Sequence, residues 1–106
     1  MTLWLPGTNP RTDGIYFFNG IQSGTARLQV AGQVMPLLRQ EGTGAEFYGQ
    51  FNTQTFVSAD SDVIAVVEVE TTATGPDPEV VDLAGTLVVE QAGQRVEQAV
   101  VGNAGC

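Results

Sequence analysis

The sequence predicts an all-β fold, a small antiparallel barrel of about eight strands in meander order. Turn-forming clusters of Gly, Asn, Pro and Asp recur at short intervals along the 106 residues. Between them lie segments rich in Val, Ile, Thr and aromatic residues, and this spacing is typical of sandwiches and barrels. No window carries an apolar stripe of period 3.6 long enough for a helix. The length predicts one domain, residues 1–106.

Eight strands are predicted, joined by connections short enough for an up-and-down meander. Closure of this meander into a barrel removes exposed edges, and a barrel of about eight strands is either filled by side chains or holds one small ligand. The predicted strands are Gly14–Asn19, Thr25–Ala31, Gln33–Arg39, Glu46–Phe51, Thr53–Ser58, Val63–Thr72, Val80–Gln91 and Gln94–Val101.

Local signals predict the turns and the faces of these strands. Hairpins are expected around Ala31-Gly32, at Asn52 with a positive φ, and around Ala92-Gly93, and "TGPDPEV" is expected to be a loop. Pro36 lacks the N–H that a ladder needs, so it predicts an edge or a bulge. In "DVIAVVEVETT" the valines alternate with Glu68 and Glu70, which indicates one buried and one solvated face.

The aromatic residues near the start of the chain are interpreted first as core. Trp4 is expected to pack over one end of the barrel, and Phe17 is expected to be buried. Tyr16 and Phe18 lie on the opposite face of the same strand, so they could line a ligand cavity or contact a neighbour.

Charge limits the choice of partners. The net charge is −8, the pI is about 4.1, and four scattered arginines are the only cations. Such a chain lacks the basic patch that nucleic acids or anionic membranes require. The charge favours encounter with a basic partner, although it could also serve solubility alone. No apolar run is long enough for a transmembrane helix.

The composition also excludes most enzyme chemistry. Histidine and lysine are absent, so catalytic triads, Schiff bases and Cys/His zinc sites are excluded. A glycosidase-like carboxylate pair could come only from acids such as Glu41, Glu46, Asp60 and Asp62, whose spacing singles out none. "SADSD" is interpreted as an Asx turn rather than a calcium site, because the other EF-hand ligands are missing. We therefore predict no catalytic residue, metal or cofactor.

The two ends of the sequence do not determine the cellular compartment of the protein. "MTLWLPG" lacks a basic start and is too short for a signal peptide, so the protein is either cytosolic or has had a signal removed. Cys106 is the single cysteine, which allows no internal disulfide; its thiol can be free or can join two chains.

The stretch "EGTGAEFYGQF", Glu41 to Phe51, allows two interpretations. Gly42 and Gly44 permit a β-corner whose aromatics cap the barrel. Alternatively the stretch is a protruding loop that offers Thr43, Tyr48 and backbone groups to a partner.

The motifs "YFFNG", "VAGQVMPLLRQ", "TGAEF" and "FVSADSDVIA" follow one another between Tyr16 and about Ala65. Their order resembles that of the membrane-bound and periplasmic C-type lysozyme inhibitor family. "YFFNG" is similar to the opening strand of that family, and "VAGQVMPLLRQ" resembles its hairpin around a Gly-Gln pair. "TGAEF" is similar to its Ser-Gly-Ala-Arg-Tyr segment, and "FVSADSDVIA" resembles the strand and acidic turn that follow.

This resemblance implies an eight-stranded barrel with two loops that plug the lysozyme cleft, in a periplasmic or extracellular protein. It places Thr43 at the family's serine and Phe47 at its tyrosine. The chain departs from the pattern at Phe18, which replaces a disulfide cysteine, and at Ala59, which replaces a basic residue. Ala59 cannot pair with the catalytic carboxylates of lysozyme, so inhibitory activity is left open.

The first functional hypothesis is therefore a non-catalytic protein-binding module that resembles a lysozyme inhibitor and binds a basic protein such as lysozyme. Its expected partner-binding residues are Thr43, Gly44, Tyr48, Ser58, Asp60 and Asp62. A barrel that carries a small molecule and a structural or self-assembling subunit, as a homo-oligomer, are the alternatives.

Overall fold

The structure, a computed structural model, describes residues 1–20, 24–30, 32–74 and 80–105. Its strands are β1 Thr2–Trp4, β2 Phe17–Phe18, β3 Thr25–Val30, β4 Gln33–Phe47, β5 Gln50–Val57, β6 Val63–Thr74, β7 Val80–Gln91 and β8 Gln94–Gly105. Each strand pairs antiparallel with its neighbours in chain order, and β1 pairs with β8 to close the barrel. The predicted all-β meander barrel is confirmed.

Three predicted features fall outside the described residues: Ala31 of the first hairpin turn, most of the "TGPDPEV" loop, and Cys106. The described residues include no helix that is long and apolar enough to cross a membrane.

Strands β6 to β8 follow the sequence prediction closely. β7 has the predicted bounds, and β6 and β8 begin where predicted but extend further, to Thr74 and Gly105. Ala92 and Gly93 form the predicted turn with φ of 52° and 77°. Positive φ at both positions is the mark of a type I′ turn, which matches the twist of the two strands.

The prediction for residues 41–58 was wrong in its turns. A strand over Glu46–Phe51 and a turn at Asn52 were expected, but the chain turns at Tyr48 and Gly49, with φ of 51° and 78°, and β5 runs unbroken from Gln50 to Val57. Tyrosine seldom adopts a positive φ, so the turn carried no local signal.

The stretch Glu41–Gly44 is neither a corner nor a loop, because it lies within the 15-residue strand β4. The register of β4 against β5 shifts between Arg39 and Glu41 and again between Thr43 and Glu46. At each shift β4 has one residue more than β5, which makes a β-bulge. Such bulges bend the strand and increase its twist. Gly44 lies in the second bulge with φ 94°, whereas Gly42 is regularly paired with Gln54, and a Cβ at Gly42 would lie 2.5 Å from the Phe51 ring.

Two short strands close the barrel where the sequence predicted differently. β1 was not expected at all, and the strand predicted over Gly14–Asn19 is reduced to Phe17–Phe18. Segments of two or three residues are too short for a period-two pattern, so only pairing with their neighbours defines them as strands.

Pro36 lies at a locally open edge, as predicted. It stands opposite Arg27 of β3, and β5 begins to pair with β4 only at Leu38. Arg39 N–H donates to Gly24 O, so alternation along β4 directs the nitrogen of Pro36 away from β3, to the side where β5 has ended. No ladder hydrogen bond is lost.

The interior of the barrel is filled by alternate side chains of the strands. Phe17 and Phe56 meet edge to face with ring centroids 5.2 Å apart, so Phe17 is core as predicted. Trp4 is not: it is half-buried outside the core, because strand alternation directs Leu3 inward in its place. The buried apolar side chains are Met1, Leu3, Phe17, Ala26, Leu28, Leu37, Phe56, Val63, Ala65, Val67, Val69, Leu83, Leu87, Val100 and Ala104.

A row of hydrogen-bonded polar side chains shares this interior. Arg39 Nη1 donates to Gln54 Oε1 at 3.0 Å, Gln54 Nε2 to Gln50 Oε1 at 3.0 Å, and Gln50 Nε2 to Asn19 Oδ1 at 3.0 Å. Arg39 Nη1 also donates to Gly49 O at 2.9 Å, and its guanidinium lies 5.2 Å from the centroid of the Phe51 ring. Within the described part of the chain, every buried side-chain nitrogen and oxygen has a partner.

Candidate protein-binding groove

The six sequence-predicted partner-binding residues lie in separate places. Thr43 and Gly44 are exposed in β4, with Thr43 opposite Thr53 of β5. Tyr48 lies in the turn between β4 and β5, with 38% of its surface exposed.

Ser58, Asp60 and Asp62 form the turn between β5 and β6. Asp60 Oδ1 accepts hydrogen bonds from Ser58 Oγ at 2.6 Å and from Asp62 N–H at 3.0 Å, and Ser58 Oγ accepts one from Val63 N–H at 3.0 Å. The Ser58 hydroxyl and the Asp62 N–H lower the pKa of Asp60. This is the predicted Asx turn, and the described residues contain no acidic or thiol cluster that could hold a metal ion.

β5 separates these two groups. Ala59 in the turn is six positions along the chain from Thr53, the partner of Thr43, which amounts to about 20 Å at the rise of a strand. The positions that the family resemblance matches to two cleft-plugging loops therefore lie apart, one beside the middle of β5 and the other in the turn after its end.

A different feature adjoins Thr43 and Gly44. β5 pairs with β6 only from Val57 opposite Ile64 to Thr53 opposite Glu68, whereas β6 stays paired with β7 as far as Thr74. A groove of about 780 Å³ opens where the two strands part. Its lining residues are Ala45, Asn52, Thr53, Glu68, Val69, Glu70, Thr71, Ala84, Gly85 and Thr86.

The side chain of Asn52 is bonded to both neighbouring strands at the point where the β5–β6 ladder ends. Its Oδ1 accepts from Ala45 N–H at 2.8 Å, and its Nδ2 donates to Val69 O at 3.1 Å. This amide side chain thus connects β4 to β6 just beyond the last pair of the β5–β6 ladder. Gly44 allows this approach, because a Cβ there would lie 2.9 Å from Asn52 Cβ.

The groove is acidic. Glu68 and Glu70 are exposed on the outer face of β6, and no arginine is among the lining residues. Arg39 is hydrogen-bonded at Gly49 and Gln54, and the ion pairs of the described residues join Arg95 to Glu90 and to Glu97 on the β7–β8 hairpin. The two glutamates of the groove therefore face solvent without a neutralising partner.

Sequence reasoning treated Glu68 and Glu70 only as a solvated face and did not single out this groove. The signal available was alternation of acids in "VEVETT" in a chain with four cations. Nothing local indicates that Asn52 interrupts the ladder beside them, because asparagine is also common in turns.

The interior of the barrel offers no support for a carrier of small molecules. The core side chains and the buried polar residues Asn19, Gln50 and Gln54 occupy it. Five cavities of about 200 to 780 Å³ that described residues line open at the surface, and one of them reaches the buried Met1, Gln50 and Ala104.

Comparison of the chain with protein-family models, curated proteins and solved structures gives no match. The molecule is a small closed meander barrel whose interior is filled by side chains and which carries an acidic groove between β5 and β6.

Proposed function

We propose that this protein is a non-catalytic binding module for a basic protein partner, and that the partner docks on the groove between β5 and β6. The observation that carries the proposal is the pair of exposed glutamates, Glu68 and Glu70, that line a groove with no cation. Clefts lined by charge of one sign concentrate field lines and raise the rate of encounter with the opposite charge.

The composition of the whole chain supports this proposal. With a net charge of −8, long-range attraction acts on a basic partner before any contact is made. A C-type lysozyme is a suitable probe because it is basic and because the sequence resemblance suggests it. With Ala59 in place of the family's basic residue, binding need not bring inhibition.

The test is a calorimetric titration of lysozyme, with a second basic protein of unrelated fold in parallel. Glu68→Gln combined with Glu70→Gln should weaken binding by about fivefold or more, since exposed charge pairs each contribute up to about 1 kcal/mol. Added salt should weaken it further. A lysis assay in the same samples separates binding from inhibition.

Glu90→Gln combined with Glu97→Gln is the matched control, because it removes the same charge from the β7–β8 hairpin. No detectable binding of either basic protein, or equal weakening by both double variants, would contradict docking at the groove.

A second proposal, self-association, has its own observation. Val34 and Leu38 are 61% and 57% exposed on the outer face of β4, and Phe18 is 40% exposed on β2. Val34→Thr with Leu38→Thr should lower any concentration-dependent mass in light scattering. Val96→Thr is the control, since Val96 is 53% exposed on β8. A monomeric mass at all concentrations would exclude this use of the surface.

A further inference from the structure

One side of β6 lacks a strand partner over its last six residues. β5 is paired with β6 as far as Glu68, and β7 is paired with the other side of β6 as far as Thr74. Within the described residues, no strand pairs with Val69–Thr74 on the side that β5 has left. This edge borders the acidic groove.

The direction of the backbone groups along this edge follows from one hydrogen bond. Val69 O points to the β5 side, because it accepts the bond from Asn52 Nδ2. The N–H and C=O groups of alternate residues point to the same side of a strand, so those of Thr71 also face the groove. Thr71 is exposed and lines the groove. It therefore presents a donor and an acceptor to an incoming chain.

The outer face of the same strand adds a requirement on side chains. Glu68 and Glu70 flank this edge, and both are exposed. Thr53 of β5 already occupies the position opposite Glu68, so a strand laid beside Val69–Thr74 would place one outward side chain directly opposite Glu70 and diagonal to Glu68. Opposite charges on neighbouring strands stabilise such a pair, and like charges oppose it.

We infer that the groove receives an extended segment of the partner, rich in Lys or Arg, which adds to the edge of β6 as an extra strand. This inference rests on the proposed function and specifies how the basic partner is held. Main-chain hydrogen bonds to Thr71 supply affinity, and Glu70, with Glu68 on the diagonal, selects a cationic side chain beside it. The segment occupies the place beside β6 that β5 leaves beyond Glu68.

A second copy of this chain is a poorer occupant of the edge. Two β6 strands paired edge to edge would bring the glutamates of both copies to adjacent positions. Like charges on neighbouring strands destabilise pairing, and each copy carries a net charge of −8.

The test uses a short peptide that alternates lysine with valine, and the same peptide with N-methyl groups on the amides that would face β6. Both have the same charge, but the methylated peptide cannot donate to the edge. We expect the unmodified peptide to bind about fivefold to tenfold more tightly, as the loss of one or two hydrogen bonds implies. In NMR spectra, the exchange of the Thr71 amide should slow when it is bound.

A variant of the edge provides an independent arm. Thr71→Pro removes the exposed N–H without removing a β6–β7 hydrogen bond, and Thr71→Val keeps the N–H. We expect only the proline variant to weaken binding of the unmodified peptide, by a similar factor. If the proline variant fails to fold, the methylated peptide still decides the question.

The outcomes separate this inference from the proposed function. Equal affinity of the two peptides, or no peptide binding up to about 1 mM while lysozyme binds, overturns strand addition and leaves the binding module standing. Failure of the peptides and of both basic proteins overturns both proposals. A dimeric mass without peptide that Thr71→Pro abolishes would overturn the inference in favour of a second copy.

Discussion

Gln50 Nε2 donates a hydrogen bond to Asn19 Oδ1 across 3.0 Å inside the barrel and so joins the start of β5 to the residue that follows β2. Gln50 is 1% exposed and Asn19 is fully buried. Gln54 and Arg39 extend the same row along the interior. A buried polar row stabilises a fold only while its members stay paired, which makes Gln50 sensitive to substitution.

Gln50→Met should destabilise the protein by about 2–4 kcal/mol, although methionine is similar in size. The change removes the donor to Asn19 Oδ1 and the acceptor of Gln54 Nε2. Unfolding in urea measures the effect. Gln94→Met on the exposed β7–β8 turn is the control and should lie within about 0.5 kcal/mol of the unaltered protein. Equal stability of both variants would show that the row contributes nothing.

Gly102→Ala should open the seam between β1 and β8. A Cβ at Gly102 would lie 1.9 Å from Thr2 O, which is backbone and cannot move aside as a flexible side chain does. We expect a loss of about 3 kcal/mol or more in thermal unfolding, with faster amide exchange in β1. Gly24→Ala is the matched control because no atom lies within 4 Å of its Cβ position. A well-folded Gly102→Ala protein with slow exchange in β1 would refute this account of closure.

Ala92→Asn should stabilise the β7–β8 hairpin by about 0.5–1 kcal/mol. Ala92 has φ 52° at the first position of a type I′ turn, where asparagine followed by glycine is strongly preferred. The measurement is the urea midpoint at unchanged slope. Ala92→Val should shift the midpoint the other way, because a β-branched residue resists positive φ. A destabilised asparagine variant would argue against the assigned turn.

The stability of the β5–β6 turn should depend on acid pH through Asp60. Hydrogen bonds from Ser58 and Asp62 lower the pKa of Asp60 in the folded state. A lowered folded pKa contributes stability that is present above the unfolded value, near pH 4, and is lost as the pH falls through the folded value. Because Asp60 is exposed, the contribution should be small.

Asp60→Asn tests this point because its amide oxygen can accept the same two hydrogen bonds at any pH. The melting temperature of this variant should fall less steeply below about pH 4 than that of the unaltered protein. Asp62→Asn, in the same turn, leaves the bond between Ser58 and Asp60 intact and should not reproduce the effect. Identical pH profiles for all three proteins would contradict the role of Asp60.

The sequence predicted strand positions correctly where buried and exposed residues alternate over a long strand. It predicted them wrongly where this alternation is interrupted. Val67 and Val69 point inward and Glu68 and Glu70 outward, as period two requires. In β4 the glycines at 42 and 44 suggested a loop, but Gly42 lies in a regular pair with Gln54 and a bulge accepts Gly44 without ending the strand. The prediction of eight strands was right in number partly because two errors cancelled, since β1 was missed and one strand was added over Glu46–Phe51.

The candidate site was harder to predict than the fold. Thr43 and Gly44 were named, and they do adjoin the groove, but Tyr48 and the Ser58–Asp62 turn lie elsewhere. Beside the groove, Asn52 bonds to Ala45 across a bulge of β4 and to Val69, which is 17 residues away in the sequence. The conformational preferences of individual residues cannot predict such a contact.

By itself, the sequence determined the all-β class, the acid excess and the absence of lysine and histidine, because composition and period-two burial are properties of residues and their near neighbours. Only the tertiary structure decided how β1 and β8 close the barrel and where β5 leaves β6. Those features depend on hydrogen bonds between residues far apart along the chain, whose partners are defined only once the strands are in register.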